Sequence, residues 1–370
     1  MTKSPLFAEK PPKRILLITL RYLGDTLLTT PLINSLRAAY PDARIDVLLY
    51  ENTQAMLQGN PAISNLITTK PKAGWQDNRI LFGKIFRQYD LAISTQTSDK
   101  AVLYAMLAAK KRIGFAPPRT DTGWFKRYFF TRYCEFDTEK THTVLEILRL
   151  CRLLGIKPVY HLTPPMSTDH ELDENVQALT APYAVLHIMP QWRYKQWTDE
   201  GWIALARYLH EQGLQIVLSG GPADVAALNR LQAALPAGTI NLAGRLSLPQ
   251  WSQVLAKAAV FVGVDTGTTH LAAATQVPTV ALFGPSDPVK WTPWPAHYQS
   301  DQAPFVTHGN QHVNNVYLIQ AGAGQKACVP CYLEGCLRNR QSHSECLDEL
   351  SAETVIDVLK PILAQSSLRE

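Results

Sequence analysis

Short apolar runs alternate with periodic stretches along most of the chain, and this alternation predicts its secondary structure. The run 14–20 is typical of a strand that is buried on both faces of a parallel sheet. The periodic stretch after it predicts a helix over 26–40, which Pro41 ends. The first half contains further predicted strands at 44–50, 63–69, 91–94 and 112–115 and predicted helices at 80–88, 101–109 and 141–154.

A stretch rich in Pro, Thr and acidic residues interrupts the alternation between 158 and 182. The second half contains predicted strands at 183–188, 214–219, 260–264 and 279–283 and predicted helices at 202–211, 225–235, 251–258, 270–275 and 352–363. This order is typical of α/β proteins with doubly wound parallel sheets, which bind ligands at the carboxyl ends of their strands. We therefore predict α/β domains over 1–165 and 183–345, joined by a linker over 166–182.

The composition fits a soluble protein of two domains. The chain has 370 residues, of which 46% are hydrophobic and 18% charged. No apolar run approaches the roughly 18 residues that span a bilayer, and the first residues lack the apolar segment of a signal peptide. The six cysteines are too few and too unevenly spread for a secreted disulfide scaffold. We therefore expect a cytoplasmic protein.

The net charge of +5 is concentrated in one segment. Between Lys100 and Tyr133 there are eight basic residues and one acidic residue, Asp121, with six aromatic residues interleaved near its end. Such a segment suits an anionic membrane surface or a phosphorylated amphiphile. No nucleic-acid-binding motif accompanies it, so we expect no nucleic-acid partner. In the alternative interpretation the aromatic residues belong to the core and the charges form a solvated face.

A turn of small residues, 264–270, lies between a predicted strand and a predicted helix. Such a turn leaves backbone N–H groups unpaired at the positive end of the helix dipole, which favours phosphate binding. It matches neither the Walker A nor the G-x-G-x-x-G pattern, so we expect a different phosphorylated ligand. Alternatively, Asp265 is simply the N-cap of the helix.

Further polar residues follow other predicted strands. Asp25 comes after Gly24 in the turn beyond the first strand, where it could be a general base or a helix cap. Arg193 and Lys195 bracket a turn where a diphosphate would need cations, although a solvated basic turn would look the same. Asp224 could accept hydrogen bonds from a ribose or cap the next helix. Cations and backbone donors together could stabilise a nucleotide leaving group without a metal.

Four cysteines lie close together near the end of the chain, at 328, 331, 336 and 346. Their number suggests zinc, but their spacing is not that of a standard zinc finger. Buried reduced thiols in a compact loop explain the cluster equally well, so we predict no metal site.

With these motifs, the chain from about 14 to 359 resembles glycosyltransferase family 9, the ADP-heptose:lipopolysaccharide heptosyltransferases. The residues that carry the resemblance are 21–25, Thr30-Pro31, 265–267, 270–274 and 283–288. The resemblance implies the GT-B fold, in which two Rossmann-like domains face a cleft and a C-terminal helix, here within 346–370, packs back toward the first domain. It also implies inverting, metal-independent transfer without a cofactor.

The resemblance also implies roles for individual residues. Asp25 matches the general base that deprotonates the acceptor hydroxyl, and Lys195 matches the lysine that binds the donor phosphates. The turn of Asp265, Thr266, Gly267 and His270 matches the donor site, and Asp224 matches a ribose-binding carboxylate more loosely. One departure from the family is 189–191, where this chain has Met-Pro-Gln instead of small residues.

The start of the chain and the Trp-x-x-Lys-x-Trp turn most resemble the heptosyltransferase III subgroup, which adds the side-branch heptose of the inner core. The resemblance implies ADP-heptose as donor, the lipopolysaccharide inner core as acceptor, and peripheral association with the anionic inner face of the inner membrane. We expect four cations to dock the acceptor or the membrane: Arg119, Lys126, Arg127 and Arg132. Alternative functions are transfer to another core sugar, a nucleotide-sugar epimerase and a non-catalytic adaptor.

Overall fold

The structure, a computed structural model, consists of two compact units. It describes residues 6–7, 10–137, 141–167, 176, 179, 182–322 and 326–366. Unit 1 comprises Met1–Pro165 with Gln299–Gln302, and unit 2 comprises Met166–Tyr298 with Ala303–Glu370. Most of the predicted linker over 166–182 lies outside the described residues, so the linker stays a prediction.

Unit 1 is built on a six-stranded sheet in which every neighbouring pair is parallel. Its strands are β1 (Arg14–Thr19), β2 (Arg44–Tyr50), β3 (Asn65–Thr69), β4 (Tyr89–Ser94), β5 (Ala109–Ala116) and β6 (Arg132–Glu135). Its helices are α1 (Leu23–Leu27), α2 (Thr30–Ala39), α3 (Trp75–Ile85), α4 (Asp99–Ala108) and α5 (Thr143–Leu154). The strand order β3-β2-β1-β4-β5-β6 is that of the Rossmann fold.

The helix predicted over 26–40 is instead two helices, α1 and α2. Pro31 lacks the N–H group that a continuous helix would use, and it occupies the first turn of α2, where that N–H is not needed. Thr29 and Thr30 donate side-chain hydrogen bonds to carbonyls of the preceding turn, at 2.6 and 2.8 Å. The break turns α1 into a separate short helix directly beyond β1.

Unit 2 repeats the same strand order and adds one antiparallel edge strand. Its strands are β7 (Tyr183–His187), β8 (Gln215–Ser219), β9 (Ile240–Asn241), β10 (Val260–Val264), β11 (Thr279–Phe283), β12 (Gln311–Val313) and β13 (Val316–Gln320). Its helices are α6 (Asp199–Glu211), α7 (Val225–Gln232), α8 (Leu248–Lys257), α9 (Gly267–Ala274), α10 (Pro288–Trp291), α11 (Glu345–Asp348) and α12 (Ala352–Ser366). The sheet order is β12-β13-β11-β10-β7-β8-β9, and only β12 is antiparallel to its neighbour.

The order of strands locates where each sheet can bind ligands. Chain connections reverse direction between β1 and β4 in unit 1 and between β7 and β10 in unit 2. In open α/β sheets, ligands bind beyond the carboxyl ends of the strands at such switch points. The segments that follow β1, β7 and β10 include the three segments that the sequence singled out.

The C-terminal helix α12 is part of unit 2. Val355, Leu359 and Ile362 are buried in the core that surrounds α6. The predicted packing of this helix toward the first domain stays a prediction. None of the described helices is long and apolar enough to cross a membrane.

His187 at the end of β7 is buried, and its burial gives unit 2 a pH-dependent stability. Its Nδ1 lies 2.9 Å from the Ser219 hydroxyl, and burial lowers its pKa from 6.5 to about 4. The folded protein therefore keeps His187 neutral between about pH 6.5 and pH 4, whereas the unfolded chain binds a proton there. Stability falls as the pH drops through this window, by about 2 kcal/mol between pH 7 and pH 5.

Urea titrations at pH 7 and pH 5 test this expectation. Between pH 7 and pH 5, the free energy of unfolding of a His187→Gln variant should fall by about 2 kcal/mol less than that of the wild type. His210→Gln changes an exposed histidine of α6 and should retain the wild-type dependence. An unchanged dependence in His187→Gln would contradict the assignment.

Candidate functional site

In unit 1, Asp25 lies in the short helix α1, just beyond the carboxyl end of β1. Its side chain is 9% exposed, and its Oδ1 accepts a hydrogen bond from the Arg21 guanidinium at 3.0 Å. Within the described part of the chain its Oδ2 accepts no hydrogen bond, so that oxygen can accept one from a ligand. Helix α1 begins after Tyr22 without a side-chain cap, so the structure does not show the capping role for Asp25.

The turn before Asp25 is fixed by the end of the neighbouring strand. Gln96 follows β4, and its side-chain carbonyl accepts the backbone N–H of Leu20 at 3.1 Å. The same amide donates to the Ser98 hydroxyl at 2.6 Å, and Ser98 caps α4. This buried link ties the segment after β1 to the segment after β4, the two strands of the switch point.

In unit 2, side chains from three adjacent strand ends meet. Lys195 lies in a 3₁₀ helix, Arg193–Lys195, after β7; Asp265 directly follows β10; and Ser286 follows β11. Asp265 Oδ2 accepts hydrogen bonds from Lys195 Nζ at 2.5 Å and from Ser286 Oγ at 2.6 Å. Because β10 lies between β7 and β11, the central carboxylate holds the two flanking turns together.

The charges of Lys195 and Asp265 in this cluster balance each other as an ion pair. Burial would raise the pKa of Asp265, but the charge of Lys195, hydrogen bonds from Lys195 and Ser286, and nearby His270 lower it below its ordinary value. The carboxylate is 8% exposed and the lysine side chain 20%. Asp265 is therefore ionised at neutral pH and positions a lysine whose positive charge suits an anionic ligand.

The N terminus of α9 lies beside this cluster. Helix α9 has Thr266 at its N-cap and begins at Gly267, without a side-chain capping bond. Thr269 donates its hydroxyl hydrogen to the Val264 carbonyl, which closes the turn from within. The first N–H groups of α9 therefore have no capping side chain, and the helix dipole makes this end positive. The turn lies between β10 and α9, as the sequence predicted, and His270 is buried; phosphate binding at this turn stays a prediction.

Two other predicted donor residues have different surroundings. Asp224 Oδ2 accepts the Gly221 backbone N–H at 2.7 Å and so closes the 3₁₀ turn Pro222–Asp224, whereas its side chain makes no capping bond to α7. Arg193 is exposed and lines a separate depression of about 240 Å³ together with Asp199 and Glu200. No hydrogen bond or ion pair among the described residues joins either of them to the cluster of Lys195, Asp265 and Ser286, and their donor-binding roles stay predictions.

The segment 328–347, which we call the cysteine segment, supports both turns of the cluster. The Ser344 hydroxyl donates to the Tyr194 carbonyl at 2.6 Å, next to Lys195 in the chain. The Tyr332 N–H donates to the Pro285 carbonyl at 3.3 Å, next to Ser286 in the chain. These contacts could not be predicted from the sequence, because nothing in the residue spacing relates this segment to either turn.

The four cysteines of this segment are free thiols. Cys346 is buried, and burial together with nearby Cys331, Cys336 and Cys328 raises its pKa to about 12. Across the ranges that the structure describes, no three His, Cys, Asp or Glu side chains are arranged to hold a metal ion.

The basic segment uses much of its charge internally, which corrects the docking hypothesis. The four cations predicted to dock an anion are Arg119, Lys126, Arg127 and Arg132. Arg127 is 4% exposed and bonds two backbone carbonyls and a carboxylate, so it cannot reach an external surface. Lys126 pairs with Asp99 at 2.6 Å, and Arg132 donates to the Leu153 carbonyl at 2.9 Å. Of the four, Arg119 is exposed.

Ser286 is the residue of the cluster that sequence reasoning did not select as a site residue. Its segment, 283–288, was identified only as a mark of family resemblance. What could have pointed to Ser286 is its position: it lies two residues beyond Gly284, after β11, and β11 is the strand next to β10.

The chain is similar to known proteins in both sequence and structure. The family model "Glycosyltransferase family 9 (heptosyltransferase)" matches residues 80–308. Lipopolysaccharide heptosyltransferase 3 of Escherichia coli strain K12 is 33% identical over 290 residues, which cover 74% of this chain and 83% of that protein. An Escherichia coli protein of the same name is 30% identical over 320 residues, or 81% of this chain and 93% of the relative.

Solved structures show the same architecture. The structure of Escherichia coli ADP-heptose lipopolysaccharide heptosyltransferase II matches this chain with a TM-score of 0.72 and 23% identity. The match covers 96% of this chain and 99% of that one. The structural similarity thus extends through both units.

Proposed function

Because this chain belongs to glycosyltransferase family 9, we propose that it transfers a heptose to the inner core of lipopolysaccharide. It is a glycosyltransferase with the GT-B fold, and its two Rossmann-like units are the units of that fold. Two relatives named lipopolysaccharide heptosyltransferase 3 are 30% and 33% identical to it. The acceptor is accordingly a heptose of the inner core, and the reaction is of the heptosyltransferase III type.

The cluster of Lys195, Asp265 and Ser286 is the observation that carries the donor assignment. A nucleotide-sugar donor loses a diphosphate, so the enzyme must stabilise negative charge as the glycosidic bond breaks. Lys195 and the backbone N–H groups that begin α9 supply the positive end of such a site. The donor is ADP-L-glycero-D-manno-heptose, in agreement with the ADP-heptose named for the Escherichia coli relative of the same fold.

The transfer inverts the anomeric centre in a single displacement. Asp25 accepts the proton of the acceptor hydroxyl through its carboxylate, while Arg21 holds the other oxygen of that carboxylate. The hydroxyl oxygen forms the new glycosidic bond as ADP leaves with the electron pair of the old bond. The diphosphate charge is carried by the lysine and the helix N terminus, so the reaction needs no metal ion and no cofactor.

The acceptor is anchored in lipid, so the enzyme works at the inner face of the inner membrane as a peripheral cytoplasmic protein. This association needs a surface on the protein that recognises an anionic bilayer.

Mass spectrometry of lipopolysaccharide from a strain without this gene tests the function. We expect loss of one heptose from the side branch, with the outer core retained, and recovery on complementation with the wild-type gene. Complementation with the Asp25→Asn gene should leave the heptose absent. Truncation at the first or second heptose would overturn the type III assignment, and an unchanged core would overturn the function.

A further inference from the structure

A cation-lined pocket lies in unit 1 at the amino ends of β1, β4 and β5. Its volume is about 470 Å³. Five basic residues line it, two from the segment before β1, one from the turn before β4 and two from β5: Lys10, Lys13, Arg87, Lys110 and Lys111. These residues come from three places in the sequence that are brought together only by the parallel sheet.

Within the described lining, the positive charge of this pocket has little internal compensation. Asp90 is the acidic residue of its lining, and Asp90 Oδ2 already accepts the backbone N–H groups of Lys13 and Arg14, at 2.8 and 3.0 Å. Among the residues that the structure describes, none of the five cations forms an ion pair with a carboxylate. Lys111 Nζ donates to the Leu6 carbonyl at 3.1 Å, which does not neutralise its charge. Like charges that converge without carboxylate partners repel one another, and an anion in the pocket would relieve that repulsion.

The rest of the lining is apolar. Phe7, Pro11, Pro12 and Tyr89 form part of its wall, and Lys111 Nζ lies 4.1 Å from the centroid of the Phe7 ring. A cationic rim on an apolar wall matches an amphiphile with a charged head group. A free phosphate ion would be drawn to the cations but would gain nothing from the apolar wall.

The pocket is distinct from the proposed catalytic region of unit 1. Strand β1 begins at Arg14 beside the pocket and runs six residues toward Asp25. A strand of that length covers roughly 20 Å, so the pocket and Asp25 lie at opposite edges of the sheet. Occupation of the pocket would leave Asp25 free to act.

We propose that this pocket binds the phosphate head group of an anionic membrane lipid and anchors unit 1 on the bilayer. The proposal rests on the membrane association included in the proposed function, and it assigns that association to specific residues. It also replaces the docking role predicted for the buried Arg127. Lys110 and Lys111 belong to the same basic segment of the sequence as Arg127. In the fold, however, they line a pocket together with Lys10 and Lys13.

Flotation with lipid vesicles tests the proposal on the full-length protein. Wild type should float with phosphatidylglycerol-containing vesicles and stay behind with pure phosphatidylcholine. Lys110→Glu/Lys111→Glu should lower the partition coefficient at least about tenfold, because each basic residue near an anionic surface contributes several-fold. Lys10→Glu/Lys13→Glu makes the same charge change on a different segment and should have the same effect.

Matched control variants distinguish binding at the pocket from a diffuse charge effect and from anchoring by other residues. Lys72→Glu/Lys157→Glu changes exposed lysines of unit 1 outside the pocket by the same charge and should reduce binding much less. Equal loss in this control would show a diffuse charge effect and overturn the pocket. Loss in Phe125→Ser/Tyr128→Ser, with binding retained in both pocket variants, would assign anchoring to those exposed aromatic residues instead.

Calorimetric titration with inorganic pyrophosphate distinguishes a lipid from a free anion. A pyrophosphate site that persists in Lys195→Met but is lost in Lys110→Glu/Lys111→Glu, in a protein that fails to float, would overturn the lipid assignment in favour of a soluble anion. Failure of wild type to float at all would overturn the proposed membrane association and the pocket's role with it. Heptose transfer to a soluble acceptor would be untouched by that result.

Discussion

Asp25→Asn is expected to lower kcat by about 100- to 10,000-fold, the range associated with loss of a general base. An amide has nearly the shape of the carboxylate but cannot take the proton of the acceptor hydroxyl. Its oxygen can still accept the hydrogen bond from Arg21, whose side chain is partly exposed, so we expect little loss of stability. The affinity for ADP should be unchanged, because Asp25 belongs to unit 1 and the donor residues to unit 2.

The measurement is transfer from ADP-heptose to purified acceptor, with and without EDTA, together with calorimetric ADP binding. EDTA should leave the wild-type rate unchanged if transfer is metal-independent. Asp42→Asn removes an exposed carboxylate from the same unit and should match wild type in both assays. Near-normal turnover in Asp25→Asn would refute its role as the base, and loss of ADP binding would indicate a structural defect.

Lys195→Met should weaken ADP binding by about 10- to 150-fold, since hydrogen bonds from a charged donor are worth about 1.5–3 kcal/mol. The substitution keeps most of the aliphatic length but leaves Asp265 as an uncompensated carboxylate beside the ligand. That buried charge would also destabilise unit 2, because removal of one partner from a buried ion pair is costly. The partial exposure of Lys195 makes the cost smaller than for a fully buried pair.

A double variant separates these two effects of Lys195. Lys195→Met/Asp265→Asn removes the stranded charge, so it should be more stable than the single variant and bind ADP more tightly than it does. Lys257→Met changes an exposed lysine of α8 and should behave as wild type in calorimetry and urea unfolding. Wild-type affinity in Lys195→Met would exclude Lys195 from the donor site.

The pattern of apolar and polar residues was enough to predict the central strands and the parallel sheets. The apolar runs of β1, β7 and β10 are short and are buried completely or nearly so, and the alternation with helices was enough to predict two parallel sheets. The break between α1 and α2 was missed because the periodicity continues through Pro31. The edge strand β6 was missed because its alternating burial gives no continuous apolar run.

The candidate site was less accessible, because its contacts join distant positions. Lys195 and Asp265 were each singled out by their position after a strand, but the hydrogen bond between them spans 70 residues of sequence. Charge counting was misleading for Arg127, because a count does not show that a guanidinium is enclosed by carbonyl groups. Counting charges along the sequence also missed the basic pocket, because Lys10 and Lys110 are neighbours only in the folded sheet.

The contacts of the cysteine segment also set an order for folding during synthesis. Residues 328–347 leave the ribosome after the strands of the unit 2 sheet, yet they hold the backbone beside Lys195 and Ser286 through Ser344 and Tyr332. Most of the sheet of unit 2 can form earlier, as its strands emerge in sequence. A nascent chain stalled before this segment would therefore carry a folded sheet with an unfinished donor site. Competence to bind the donor would come only after this segment has emerged and packed against the two turns.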